Sequence, residues 1–540
     1  MSASTPYDVA IVGYGPTGQV AANLLGRRGL RVYVCERLPD VYEIPRAIAL
    51  DHEIMRVFQQ LEVAEAVAPH TEPFSNSEYF GVDGQLIRRM TMLPPPYPQG
   101  YTPSMVFTQP PVERALRASV GQLPNVTVAL GVELQRIAQD ADGVTLTLGG
   151  TDRQRAVRAR YAIACDGGGS PVRTQLGMAL DDLDFDEPWL VVDVLVNAQG
   201  LAKLPTMSVQ YCEPERPCSL VNGPGNHRRW EISLKPGEDP KQVATEAETW
   251  KLLARWITPA DGRLWRQASY RFHALVASQW RQGRVFLAGD AAHMQPPFLG
   301  QGMCQGIRDV ANLAWKLTAV LHGEVKGAAA QALLDSYGEE RKAHVRELTS
   351  RIKGVGAVIC ERDTDKARAR DARLLAECGG TVQDTPRQDI LPRLESGLLS
   401  PQPSPARGTL FPQPWLRTDD GPARMDAVLG NGWRLVLDAS VAQASLPAMA
   451  MAFDGLRVLP LAQMPETESV AAAWFARHAS VAALVRPDNY VFGVAAQPAD
   501  IAPLIEAAAA ALGQPLARSS PHQKNRRQPP CNAETSPASR

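Results

Sequence analysis

The chain has 540 residues, 45% of them hydrophobic, which excludes a disordered polymer and predicts about two to four structural units. Its 56 basic residues balance 57 acidic ones, which excludes a nucleic-acid binder that depends on a basic excess. The start, MSASTPYDVAIVGYG, lacks a basic region ahead of an apolar stretch, and no window reaches the ~18 apolar residues of a membrane span, so a cytoplasmic protein is expected. Eight scattered cysteines, with no CxxC pair and no metal-type spacing with histidine, fit reduced thiols and no metal site.

In chain order, Tyr7 to Val12 is a β-favouring apolar run, followed at once by Gly13-Tyr14-Gly15-Pro16-Thr17-Gly18. The spacing from Thr17 to Arg28 predicts a helix closed by Gly29, and Leu30 to Cys35 predicts a strand ending in Glu36-Arg37. That is a βαβ unit. Residues 70–110, rich in proline, read as an irregular excursion. Val126 to Leu130, Val144 to Leu148 and Tyr161 to Cys165 read as a meander. Trp189 to Val196, Met207 to Tyr211 and Arg229 to Leu234 read as a second, antiparallel sheet. A strand from Val285 to Ala288 precedes helical stretches at about 305–321 and 326–361. Prolines and glycines multiply over 380–415, which reads as a linker. A smaller α/β pattern follows, with strands at Arg434 to Leu437, Leu456 to Leu461, Val481 to Val485 and Tyr490 to Val494, then an Ala-rich helix from Ile501. The last residues are polar and unpatterned and read as a disordered tail.

A lone GxGxxG is weak evidence. Here it sits between strand and helix, and Glu36 follows 18 residues after Gly18, the arrangement that holds a pyrophosphate on a helix N-terminus while an acid takes ribose hydroxyls. Gly13 permits the tight turn, Gly15 the approach of the phosphate, and Gly18 close helix–strand packing. A second signal is RVFLAGDAAHMQPPFLGQGMCQGIRD over 284–309. Asp290 at a strand end suits a ribityl hydroxyl, which FAD has and nicotinamide cofactors lack; it also suits an ordinary helix cap. Amides near Gly300 to Met303 would stabilise negative charge on a reduced flavin. Among the nine histidines, His52, His227, His273 and His293 invite attention. His293 reads as a loop-orienting residue. His227, in a turn with Arg228 and Arg229, and Tyr211 are candidates for catalysis, and Trp230 and Tyr211 for the pocket wall.

Taken together, GYGPTG with Glu36-Arg37, CDGGGSPVR (Cys165 to Arg173), GDAAHMQPP, PRAIALD (Pro45 to Asp51) and FTQPPVERAL around Gln109 resemble the single-component FAD-dependent aromatic hydroxylases, the group of para-hydroxybenzoate and phenol hydroxylases. GQGMCQGIRDVANLAWKL and WFARHASVAALVRPDNY bring the chain nearest to the 3-(3-hydroxyphenyl)propionate hydroxylases. The resemblance implies an α/β fold. An FAD-binding Rossmann-like domain (about 1–70, 100–185 and 275–360) would interleave with an antiparallel-sheet substrate domain (about 71–99 and 186–274), both within 1–390. A thioredoxin-like domain without CxxC would occupy 391–515, with packing or dimerisation as its role, and a disordered tail 516–540. It implies FAD contacts from Gly13, Gly15, Pro16, Thr17, Gly18, Glu36 and Arg37 at the adenosine diphosphate half, with Val132 beside them. Arg46, Gln109, Asp166, Gly289 and Asp290 would serve the pyrophosphate and ribityl region, and Pro297, Gly300, Gly302 and Met303 the ring. Pro297, Phe298 and Trp230 would form the substrate pocket. The implied reaction is ortho-hydroxylation of a phenol such as 3-(3-hydroxyphenyl)propionate through a flavin hydroperoxide, with dioxygen and NADPH or NADH consumed. The alternative is hydroxylation, epoxidation or Baeyer–Villiger insertion on a polycyclic natural product. The family's habit is a homodimer, with no membrane or nucleic-acid partner.

Overall fold

β1 (Tyr7–Val12) has four consecutive buried residues at its C-terminal end, the mark of a strand covered on both faces. A computed structural model of the chain describes residues 6–150, 155–441 and 453–514. In it β1 lies between β2 (Val32–Glu36) and the strand Arg155–Ala164, both parallel to it. Val126–Leu130 extends the sheet beyond β2 and Val285–Leu287 beyond Arg155–Ala164, again in parallel. Helix α1 (Pro16–Gly26), which links β1 to β2, buries nine consecutive residues, Gly18 to Gly26.

The expected meander is corrected here. Val126–Leu130 belongs to the parallel sheet, because the helix Gln109–Gly121 returns the chain beside β2; the antiparallel turns run through Glu133–Gln139, Val144–Gly149 and Arg155–Ala164. Alternation within a strand does not say which strand will be its neighbour.

A second, nine-stranded sheet is built around two long strands, β3 (Leu180–Val196) and β7 (Gly262–Ala277), which pair antiparallel. Beyond β3 follow β6 (His227–Ser233), β5 (Cys218–Asn222) and β4 (Ser208–Tyr211), then Ser77–Phe80, Leu86–Thr91 and Gln383–Pro386. Two junctions are parallel: β4 with Ser77–Phe80, and Leu86–Thr91 with Gln383–Pro386. Both the excursion at 70–110 and the linker at 380–415 therefore need correcting. Each supplies strands to this sheet, because their prolines stand mainly outside the paired segments, and Pro386 closes an edge strand, where proline is tolerated.

Helices α2 (Gly302–Leu321) and α3 (Gly327–Ile359) pack together against the first sheet. The C-terminal sheet runs Arg457–Pro460, Arg434–Leu437, Ala482–Val485, Val491–Ala495; the first pair is parallel and the others antiparallel. Buried ion pairs tie it to the rest of the molecule. Arg486 lies 2.6 Å from Glu340 of α3, Lys316 of α2 lies 2.9 Å from the same carboxylate, and Asp426 bridges Arg56 and Arg434. The tail expected from 516 lies outside the described residues. No helix among the described residues is long and apolar enough to cross a membrane, and none of their side chains cluster as a metal site.

Candidate active site

The C-terminal ends of β1 and β2, the inner face of the second sheet and the loop before α2 enclose one cavity of about 840 Å³, in the upper part of the range for ligand sites. At its β1 end, Gly13 has φ +96°, and a Cβ there would come within 2.3 Å of the Cys165 carbonyl oxygen. A Cβ at Gly18 would meet the Gly13 carbonyl at 2.1 Å, whereas one at Gly15 would meet nothing. The cradle is thus open at Gly15 and closed behind it. Pro16 opens α1, whose first turn carries no acidic residue, leaving its amides available to an anion.

At the end of β2 the two Glu36 carboxylate oxygens accept from the Tyr14 and Leu38 N–H groups at 2.7 and 2.8 Å, and each keeps capacity for a ligand hydroxyl. Val132 donates its N–H to the Glu36 carbonyl. Gln109 Oε1 accepts from the Arg46 and Ala47 N–H groups, and its Nε2 donates to Glu113; Gln109 therefore holds the Arg46–Ala47 backbone in place. Asp166 accepts from the Val172 N–H through Oδ2, while its buried Oδ1 has no partner, and burial raises its pKa. An orphan acceptor facing the cavity fits a hydroxyl-bearing cofactor.

Asp309 organises the loop that follows Val285–Leu287. Its Oδ2 accepts from the Gly289 N–H at 2.9 Å and lies 2.7 Å from His293 Nε2, and its Oδ1 accepts from Arg341 Nε at 2.9 Å. His293 also stacks on Trp280. Burial opposes this carboxylate, but His293 and Arg341 outweigh burial and hold its pKa below the usual range. The arrangement presents Asp290, exposed, to the cavity. Farther on, Pro297, Phe298, Gly300, Gly302 and Met303 line the wall, and Phe298 sets its edge against Trp189 and Phe185.

Of the residues expected at a dinucleotide, all but Gly18 and Gly289 line the cavity. Those two stand behind the wall, Gly18 against Gly13 and Gly289 against Thr17.

Three other expectations are corrected. Trp230 and Tyr211 are not on the cavity wall; they pack on the opposite face of the sheet, where Trp256 Nε1–H donates to the Tyr211 hydroxyl. Strands alternate faces, and both faces of β6 are buried, so the sequence does not say which face meets the cavity. His227 is off the wall as well, tied to Asp193 at 2.7 Å. Burial pushes Asp193 upward, but Arg229 and His227 outweigh it and hold the carboxyl at about 2.

The wall instead carries Gln210, Ser219, Arg229 and Glu231, with Tyr270, Phe272 and His273 from β7. Arg229 grips Asp193 with two N–H groups and donates to the Arg46 carbonyl. Arg387, from the segment read as a linker, also reaches the wall. It is buried, donates to the Leu299 carbonyl, lies 4.6 Å from the Phe74 ring centroid, and makes no ion pair among the described residues. Arg387 opens a short helical turn just after the edge strand, in a segment with no apolar period, and carries no local signal, whereas the wall position of Arg229 follows from β6 alternation once one face is assigned.

The chain is similar to known flavin proteins in sequence and fold. The family model described as "FAD binding domain" matches residues 6–352, and "HcaD C-terminal domain" matches 408–511. A Rhodococcus jostii protein described as "Probable NADH-specific resorcinol 4-hydroxylase" is 37% identical over 94% of this chain and 95% of its own. A Mycobacterium sp. 3-(3-hydroxy-phenyl)propionate/3-hydroxycinnamic acid hydroxylase is 34% identical over 90% of this chain and 88% of its own. Among solved structures, the flavin-dependent monooxygenase PieE, in complex with FAD and substrate, superposes with TM-score 0.77 at 22% identity over 95% of this chain and all of its own, a likeness of fold.

Proposed function

The chain belongs to the FAD-dependent aromatic hydroxylases, and from that premise we propose that it ortho-hydroxylates a phenol bearing a short acid side chain, of the 3-(3-hydroxyphenyl)propionate type. The observation that carries the proposal is the single cavity that joins the dinucleotide motifs to a sheet floor lined with aromatic and polar side chains. When bound, FAD supplies the chemistry the chain lacks, accepting a hydride from NADPH or NADH and delivering one atom of dioxygen to the ring.

The chain's part is to bind and orient. The α1 N-terminus at Gly15 to Thr17 would take the pyrophosphate, and Glu36, flanked by Arg37 and Val132, the adenosine ribose. Asp166 and Asp290 would take hydroxyls of the ribityl chain, with Gln109 fixing Arg46 beside them. Pro297, Gly300, Gly302 and Met303 would flank the ring, and Phe298 would close the apolar side against water. Support comes from the open cradle at Gly15 and the unpartnered Asp166 oxygen.

Of the two buried cavity cations, Arg229 is paired and Arg387 is not. A buried guanidinium without an anion is unfavourable, and this supports a substrate carboxylate near Arg387. A second reading, a neutral diphenol, is favoured by the resorcinol 4-hydroxylase relative. The order of the C-terminal sheet, with its third strand antiparallel to its neighbours, supports a thioredoxin-like unit, and the seven free cysteines among the described residues suit a cytoplasmic enzyme.

The test is NAD(P)H oxidation by the FAD-loaded protein across a panel of phenols, with product mass. We expect one substrate class to stimulate oxidation and gain one oxygen atom. Oxidation indifferent to every phenol, yielding only hydrogen peroxide, would turn the search to polycyclic substrates.

A further inference from the structure

The cavity floor holds a carboxyl that the protein leaves without a partner. Glu231 on β6 is 6% exposed and lines the cavity, and no hydrogen bond or ion pair to a described residue engages it. It does not stand alone. Strand pairing sets Gln210 of β4 opposite Ser219 of β5, and Ser219 opposite Glu231, so three buried polar side chains cross the floor in one row. Ser219 Oγ donates to Gln210 Oε1 at 2.5 Å. That leaves the Gln210 amide donors and the Ser219 lone pairs for a ligand. Val221, two residues beyond Ser219 on the same face of β5, adds an apolar wall group. A carboxyl buried among such groups is costly unless a ligand supplies a donor.

We propose that Glu231 receives the phenolic hydroxyl of the substrate and takes its proton, with Ser219 and Gln210 orienting the ring. The O–H bond breaks, its electron pair stays on the phenol oxygen, and the proton moves to a Glu231 carboxylate oxygen. The phenolate ring is then more electron-rich ortho to that oxygen, where hydroxylation occurs. The inference rests on the function proposed above and supplies the proton acceptor that it requires.

The surroundings suit the task. Burial raises the Glu231 pKa, Arg229 on the same strand offsets part of that, Asp193 on β3 adds to it, and Arg266 on β7 opposes it. Cys218 on β5 is the remaining titratable neighbour. A carboxylate whose pKa is raised by burial is a stronger base than an exposed one. Two candidates from the sequence are committed elsewhere, His227 to Asp193 and Tyr211 to the far face.

Two measurements on the FAD-loaded enzyme decide it. In the wild type, the O-methyl ether of the substrate has no proton to donate. It should perturb the flavin spectrum with a dissociation constant about 10–100-fold weaker than the phenol, and equal affinities would overturn the assignment. This comparison needs no variant to fold. In Glu231→Gln the hydrogen bond survives and the base does not. Phenol binding should persist, while kcat/KM for hydroxylation falls about 100-fold or more and the acid limb of its pH profile disappears. In Glu231→Leu, binding of the phenol should fall to that of the ether. A Glu231→Gln enzyme hydroxylating at the wild-type rate with its acid limb intact would overturn the proposal while leaving the proposed function standing. A wild type stimulated by no phenol would remove both.

Discussion

Asp309 lies 19 residues after the Asp290 it helps to place, on a different element, and touches the site loop twice, at the Gly289 amide and His293, and, through its other oxygen, Arg341 of α3. With two donors from the loop and a third, Arg341, from α3, this buried carboxylate is strongly committed, and removing it strands the buried Arg341 charge. Asp309→Ala should cost about 3–5 kcal/mol of stability and lower flavin content, read by thermal unfolding and by the absorbance ratio of flavin to protein. Full flavin occupancy with unchanged unfolding would refute the role. In the sequence this loop reads GDAAHM, with His293 as a loop-orienting residue. The sequence does not show the partner, because Asp309 sits inside a helical pattern where an acid ordinarily faces solvent.

At the scale of elements, the strand Gln383–Pro386 carries Arg387 to the cavity by pairing with Leu86–Thr91. The segment looks like a linker in composition, and its role comes from a partner about 295 residues earlier, as Arg88 opposite Gln383 records. If Arg387 meets a substrate carboxylate, Arg387→Met should weaken binding of a carboxylate-bearing phenol about 10-fold or more, the scale of one charge-assisted hydrogen bond, and leave a neutral diphenol unaffected. Equal loss for both would make Arg387 a packing residue. Face assignment is decided at the same scale. β6 reads HRRWEIS, and an alternating strand offers Trp230 or Glu231 to the cavity with equal propriety. The helix Glu246–Leu253 on the far side, with the turn after it that sets Trp256 against Trp230, makes the choice.

Across the whole molecule, the C-terminal sheet lines none of the cavity, yet it is fused to α2, whose first residues do, and to α3. Asn312 and Lys316 of α2, Glu340 of α3, and Arg486 with Asp488 form one buried network. Burial pushes Glu340 upward, but Arg486 and Lys316 outweigh it and hold its carboxyl at about 2. A depressed folded pKa contributes stability that is present above the unfolded value of about 4.5 and is lost as pH falls from there toward 2. Glu340→Gln should therefore destabilise the protein by about 3–5 kcal/mol at neutral pH, with the difference from wild type shrinking through that acid window. A constant difference down to pH 2.5 would refute the pairing. Much of the architecture was legible beforehand. Glycine turns, strand ends and the acid after β2 are local features whose chemistry follows from spacing of a few residues, and the sequence by itself determined the dinucleotide cradle, the family and the FAD chemistry it serves. Only the tertiary structure decided which sheet face meets the cavity, which buried charges lack a partner, and where the proline-rich segments pair. Those depend on contacts between residues hundreds of positions apart, and no local pattern encodes which distant side chain will satisfy a buried charge.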